Sequence, residues 1–119
     1  MGNPHFITFQ DFTEAEQERL APLIQSDGSF PKSTNVEFVK SYNGVLMVKV
    51  LERGAGWTMA CGTGACATAV AAALRGLVPY EREIEVRLPG GSLWIAVAHD
   101  LGSVTMRGPA ARVFQGEME

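Results

Sequence analysis

Apolar and polar positions change rhythm several times along this chain, and each change marks an element. Residues 6–9 form a short apolar, β-branched run behind Pro4, which predicts a strand leaving a tight turn and holding Asn3 and His5 in place. Thr13-Glu14-Ala15-Glu16 has the form of a capping box. Behind it Leu20, Leu23 and Ile24 keep helical spacing as far as Ser26-Asp27-Gly28, so a surface helix with one buried face is expected.

The next segments switch to β-rich runs at 35–40 and 45–51, joined through Tyr42-Asn43-Gly44. An Asn-Gly pair tolerates positive φ at both positions, which predicts an antiparallel hairpin. Glu52-Arg53-Gly54-Ala55-Gly56 then breaks the strand. Residues 65–75 are dominated by alanine, the best helix former, and close at Gly76. Side chains this small predict a central helix packed tightly all round. Three further strands are read at 84–88, 93–98 and 103–106, separated by Pro89-Gly90-Gly91 and by His99-Asp100-Leu101-Gly102. Five or six strands and two helices, linked mainly by hairpin-length turns, predict an α+β fold.

At 119 residues, 46% of them hydrophobic, the chain suits one compact domain with a real core. The formal charge of −3 comes from 10 basic and 13 acidic residues without long runs, which favours neither nucleic acid nor an anionic membrane and leaves a small polar ligand as the default. The start Met1-Gly2-Asn3-Pro4-His5 lacks the basic and apolar regions of a signal peptide, and the apolar window around 65–77 is too short to span a bilayer. A cytoplasmic protein is expected, with Cys61 and Cys66 as free thiols.

The chemistry concentrates in Ala60-Cys61-Gly62-Thr63-Gly64-Ala65-Cys66. A thiol just before a glycine-rich helix start meets unpaired backbone N–H groups and the positive end of the helix dipole, which stabilise a thiolate and can also hold a carboxylate. Gly62 and Gly64 leave those N–H groups open, and the Thr63 hydroxyl adds a donor. Against this stands the reading of Cys61 as a small buried hydrophobe in a turn; the residues alone leave the two level. Cys66, over one turn into the helix, reads as structural. Neither His5 nor His99 completes a zinc pattern with the cysteines, so no metal site is expected, and no Lys-Ser/Thr pair makes a nucleotide loop. Glu52-Arg53 reads by default as a solvated pair, although the glycines after it indicate an unusual backbone.

Gly2-Asn3-Pro4-His5, Thr34-Asn35-Val36-Glu37-Phe38, Glu52-Arg53-Gly54 and the Cys61 segment, in this order, resemble the diaminopimelate epimerase family. The resemblance runs on to Gly108-Pro109-Ala110 and Val113-Phe114-Gln115-Gly116-Glu117. It implies one half of an epimerase-like fold, an antiparallel mixed sheet wrapped around the Ala-rich helix. It also implies interconversion of LL- and meso-diaminopimelate in lysine biosynthesis, with two cysteines facing the α-carbon from opposite sides and no cofactor, neither pyridoxal phosphate nor metal. By position, Cys61 would be the second of those cysteines. Gly62 and Thr63 would bind the carboxylate at the reacting centre. Asn3, Asn35, Glu52 and Arg53 would recognise the substrate, and His5, with Glu52, would support the thiols.

The chain is much shorter than such an enzyme, and residues 1–119 are expected to be an incomplete C-terminal domain lacking the N-terminal half that carries the other cysteine. The resemblance begins at Gly2-Asn3-Pro4-His5, whereas the family's C-terminal domain has further strands before that motif. This domain too is therefore expected to lack its opening segment and to show unpaired strand edges or an exposed apolar face. The expected partner is that missing half, or a second copy of the chain placing its own Cys61 across the site. Proline and hydroxyproline racemases share the fold plan and a Cys-Gly-Thr-Gly motif, and give the alternative substrate class. A non-catalytic remnant that retains the carboxylate pocket is the remaining alternative.

Overall fold

A computed structural model describes residues 4–54, 56–58 and 62–108, together with the backbone of 112–117. The elements are β1 (His5–Thr8), α1 (Glu14–Gln25), β2 (Asn35–Tyr42), β3 (Val45–Glu52), β4 (Gly56–Thr58), α2 (Gly62–Leu74), β5 (Ile84–Leu88), β6 (Gly91–Val97), β7 (Ser103–Arg107) and β8 (Arg112–Glu117).

The strands form one mixed sheet in the order β1-β2-β3-β5-β6-β7-β8, with β4 paired to β3 off this path. The α+β expectation holds, but the connections are not all hairpins. β1 pairs with β2 in parallel, with α1 between them in sequence, and β3 pairs with β5 in parallel, with β4 and α2 between them. Parallel neighbours cannot be joined by a tight turn, so each such pair requires a crossover. β4 and β8 are strands additional to those expected. Among the described residues the outer edge of β1 has no strand partner.

The capping box of α1 is formed in both directions. The Glu16 N–H donates to Thr13 Oγ1 at 3.2 Å and the Thr13 N–H donates to Glu16 Oε1 at 2.8 Å. Thr13→Ala removes the acceptor and is expected to cost about 1 kcal/mol of unfolding free energy, measurable by urea titration. The Asn-Gly hairpin is also formed, with Asn43 at φ 51° and Gly44 at φ 78° between paired Tyr42 and Val45.

Alternation along β2 and β3 divides the core. Val36, Phe38 and Leu51 pack with Ala21 of α1, while Val39, Leu46, Val48 and Val50 pack with Ala65, Ala69, Ala72 and Ala73 of α2. The sheet is thus covered on both faces where these strands run. α2 is not enclosed all round as its composition led one to expect. Gly64, Ala65, Thr68, Ala69, Ala72 and Ala73 are buried, Cys66, Ala67, Val70 and Ala71 are half-buried, and Leu74 is exposed. Alanine lets the helix axis come close to the sheet on one side, and a single sheet cannot cover the other. No helix among the described residues is long and apolar enough to cross a membrane.

Candidate active site

Register places the polar residues of β1, β2 and β3 at one end of the sheet face that carries α2. His5 stands opposite Asn35, and Ile7 opposite Glu37; across the hairpin Val36 meets Leu51 and Glu37 meets Val50. Because successive side chains alternate between faces, His5, Asn35, Glu37, Val50 and Glu52 share one side. Thr58 on β4, paired with Val50, joins them.

Within this group His5 Nδ1 lies 2.8 Å from Glu37 Oε2, with the histidine side chain 15% exposed and the carboxylate completely buried. Asn35 is also fully buried, and its Oδ1 accepts the Arg53 backbone N–H at 2.7 Å. Its own N–H is tied to the Pro4 carbonyl at 3.0 Å, which fixes the β1 entry against β2. Asn35 Nδ2, Glu37 Oε1 and Thr58 Oγ1 are buried without a hydrogen-bond partner among the described residues. Buried polar atoms are normally satisfied, so bonding to these three is completed by groups other than the described residues.

Burial pushes the Glu37 carboxyl above its ordinary value of 4.5, opposed by the hydrogen bond and charge of His5 and reinforced by the negative charge of Glu52. A carboxyl whose pKa is raised by folding favours the fold in its neutral form. Its contribution is fully present below 4.5 and is lost as pH rises through the folded value. Glu37→Gln cannot ionise, so its melting temperature is expected to gain on that of the native chain as pH is raised from 4.5 to 8, read by thermal melts across pH.

Arg53 leaves the end of β3 and its Nη1 donates to the Lys32 carbonyl at 2.9 Å. With Pro4, Phe30 and Lys32 it lines an open cleft of about 540 Å³. Two cationic side chains on one cleft favour an anionic ligand group, and a guanidinium matches a carboxylate through its planar fork. The unusual backbone expected after Glu52-Arg53 is present: Gly54 and Gly56 sit at φ 80° and 79°, a region open to glycine, and Gly56 pairs with Glu52.

α2 begins at Gly62, so the glycine-rich segment does form a helix start. Thr63 there is exposed and Gly62 half-buried. A Cβ added at Gly62 would lie 3.3 Å from the terminal methyl of Met106, a contact that a flexible methionine can relieve. The Cys66 thiol is half-buried and packs against the same methionine, Sγ to Sδ 3.9 Å. Cys61 and Asn3 lie outside the described residues.

Of the residues singled out from sequence, the structure therefore brings His5, Asn35 and Glu52 to one face, puts Arg53 beside them through the Asn35 contact, and sets Gly62 and Thr63 at the start of α2. Glu37 was not singled out, although it lies inside the Thr34–Phe38 motif.

The α+β fold of this chain is shared with a solved structure. That is the Bacillus anthracis phenazine biosynthesis protein of the PhzF family, matched with a TM-score of 0.67 at 25% identity over 90% of this chain and 35% of that one. The sequence narrows the class further. The profile of the diaminopimelate epimerase family matches residues 1–113, and the chain belongs to that family. It is similar to the diaminopimelate epimerases of Bacteroides thetaiotaomicron, 45% identical over 100% of this chain and 45% of the relative, and of Desulfitobacterium hafniense, 50% identical over 98% and 41%. The chain thus spans less than half the length of these curated relatives.

Proposed function

We propose that this chain is the C-terminal domain of a diaminopimelate epimerase and supplies one of the two opposed acid–base groups of the site. The observation that carries the reading is the conjunction of family membership with the His5-Asn35-Glu37-Glu52 face, whose buried Asn35 Nδ2 has no partner among the described residues. Cys61 is the acid–base residue of this half. As a thiolate it takes the α-proton of one epimer, and as a thiol it returns a proton to the planar carbanion when the reaction runs the other way. The opposing thiol comes from an N-terminal half or from a second copy of the chain.

The α-hydrogen of an amino acid is a very weak acid, so the barrier falls only if fixed dipoles stabilise the carbanion and water is kept out. In this reading the N–H groups of Gly62 and Thr63 at the start of α2 hold the carboxylate of the reacting centre, where the helix dipole favours negative charge. Asn35 and Arg53, with Asn3 and Glu52, recognise the rest of the substrate, including its distant amino-acid end. The chemistry needs only these proton carriers and dipoles.

The test is complementation. Mixed with a separately produced N-terminal half of a family member, the chain is expected to restore epimerisation of LL-diaminopimelate and to leave L-proline untouched. Turnover of proline instead assigns the site to a racemase, and binding without turnover by two folded, associated halves marks a non-catalytic domain.

A further inference from the structure

We propose that Glu37 is a positioning residue for His5: its buried carboxylate holds the Nδ1–H tautomer of the imidazole and so leaves Nε2 as the ring's acceptor. The contact is 2.8 Å between Nδ1 and Oε2, and neither group has ready access to water, with Glu37 fully buried and His5 15% exposed. An ionised carboxylate only accepts, so the ring nitrogen facing it carries the proton, and a neutral imidazole then has its lone pair on the other nitrogen. Free histidine in water is under no such constraint.

Placing a carboxylate here is costly. The neighbouring positions on the same sheet face, Val39 and Val50, are apolar core, and Glu37 Oε1 has no hydrogen-bond partner among the described residues. A buried polar group left partly unsatisfied lowers stability, so an apolar residue of similar size would serve the fold better. What the carboxylate does provide is a fixed partner for His5 two positions along a rigid parallel pair, where His5 is opposite Asn35 and Ile7 opposite Glu37. Its charged surroundings are Glu52, whose negative charge acts on it from β3, and His5 itself. An imidazole locked in this tautomer can take a proton at Nε2 from a thiol, and the partners that orient metal-bound histidines, worth about 10–100-fold in activity, set the scale expected for Glu37.

The weight of this assignment for catalysis rests on the epimerase reading, but the tautomer itself does not, and it is read first without substrate. Long-range proton–nitrogen correlation spectra of the 15N-labelled chain at about pH 8, above the ordinary histidine range, resolve His5, with His99→Asn separating the two rings. Expected is a protonated Nδ1 and a bare Nε2 in the native chain, the same in Glu37→Gln, whose amide oxygen still accepts, and a shift toward Nε2–H in Glu37→Ala. His5 found as Nε2–H or doubly protonated in the native chain, or unchanged in a folded Glu37→Ala, overturns the proposal. If Glu37→Ala does not fold, the native and glutamine spectra still decide it. In the complemented enzyme, Glu37→Ala is expected to lower kcat about 10–100-fold with KM little changed and Glu37→Gln to recover most of it; an equal loss in both variants with native tautomers intact argues against the positioning role and leaves the epimerase reading standing.

Discussion

Epimerisation by the complemented enzyme is expected to fall by about 10²–10⁴-fold when Cys61 is replaced by alanine, the range over which a positioned acid–base group contributes. The residue precedes the start of α2 at Gly62, and the first N–H groups of a helix have no partner within it. In the proposed reading, a thiolate near the helix start is favoured by the positive end of the helix dipole, which is what a base at neutral pH needs. Cys61→Ser is expected to do little better, because an alcohol ionises far above the thiol range. Initial rates in both directions measure the effect. A Cys61→Ala enzyme that keeps native turnover removes the thiol from the mechanism.

The second large effect is expected at Asn35. Its side chain is fully buried and Oδ1 accepts the Arg53 N–H at 2.7 Å, while Nδ2 has no partner among the described residues. Asn35→Leu leaves the Arg53 N–H without that acceptor, at a cost of about 1–3 kcal/mol in stability. It also removes the donor proposed to meet the substrate. A hydrogen bond to a charged group contributes about 1.5–3 kcal/mol, which corresponds to roughly 10–100-fold in KM. Asn35→Asp keeps an acceptor for Arg53 but presents a carboxylate where the donor was, so it is expected to retain more stability than the leucine variant and to bind substrate no better. Chemical denaturation and steady-state kinetics on the two variants separate the roles; native KM in both contradicts a substrate contact.

The parts of this molecule that sequence made legible are those written in local chemistry. The capping box at Thr13 and Glu16, the positive-φ pair Asn43-Gly44 and the alanine run of α2 each act over a few residues, and each formed as expected. The parallel contacts did not announce themselves, because the β3–β5 register rests on Leu46 opposite Val86 and Met47 opposite Arg87, pairings between distant segments with no local signature. β4 spans only Gly56–Thr58, too short for alternation to register. Glu37 was missed for a different reason. A glutamate between Val36 and Phe38 reads as the solvent side of an alternating strand, yet α1 covers one face of β2 and α2 the other, so no side of the strand there faces water. The available signal was Val39, an apolar residue on the same face as Glu37, which shows that this face is inward too.

The same consideration explains why the candidate site was legible as a set of residues and not as a geometry. The resemblance to the diaminopimelate epimerase family is what grouped His5, Asn35, Glu52 and Arg53; read alone, Glu52-Arg53 is a solvated pair. Only the parallel β1–β2 register and the β2–β3 hairpin bring His5, Asn35 and Glu52 onto one face and hang Arg53 from the Asn35 side chain.

The most direct test of the central claim is α-hydrogen exchange. Diaminopimelate is incubated in deuterated water with the chain and its complementing N-terminal half, and deuterium at the α-carbon is followed by NMR. Incorporation is expected with the native chain and is lost when Cys61→Ala replaces it. Absence of exchange with both halves folded and associated, or exchange that survives the substitution unchanged, contradicts the claim.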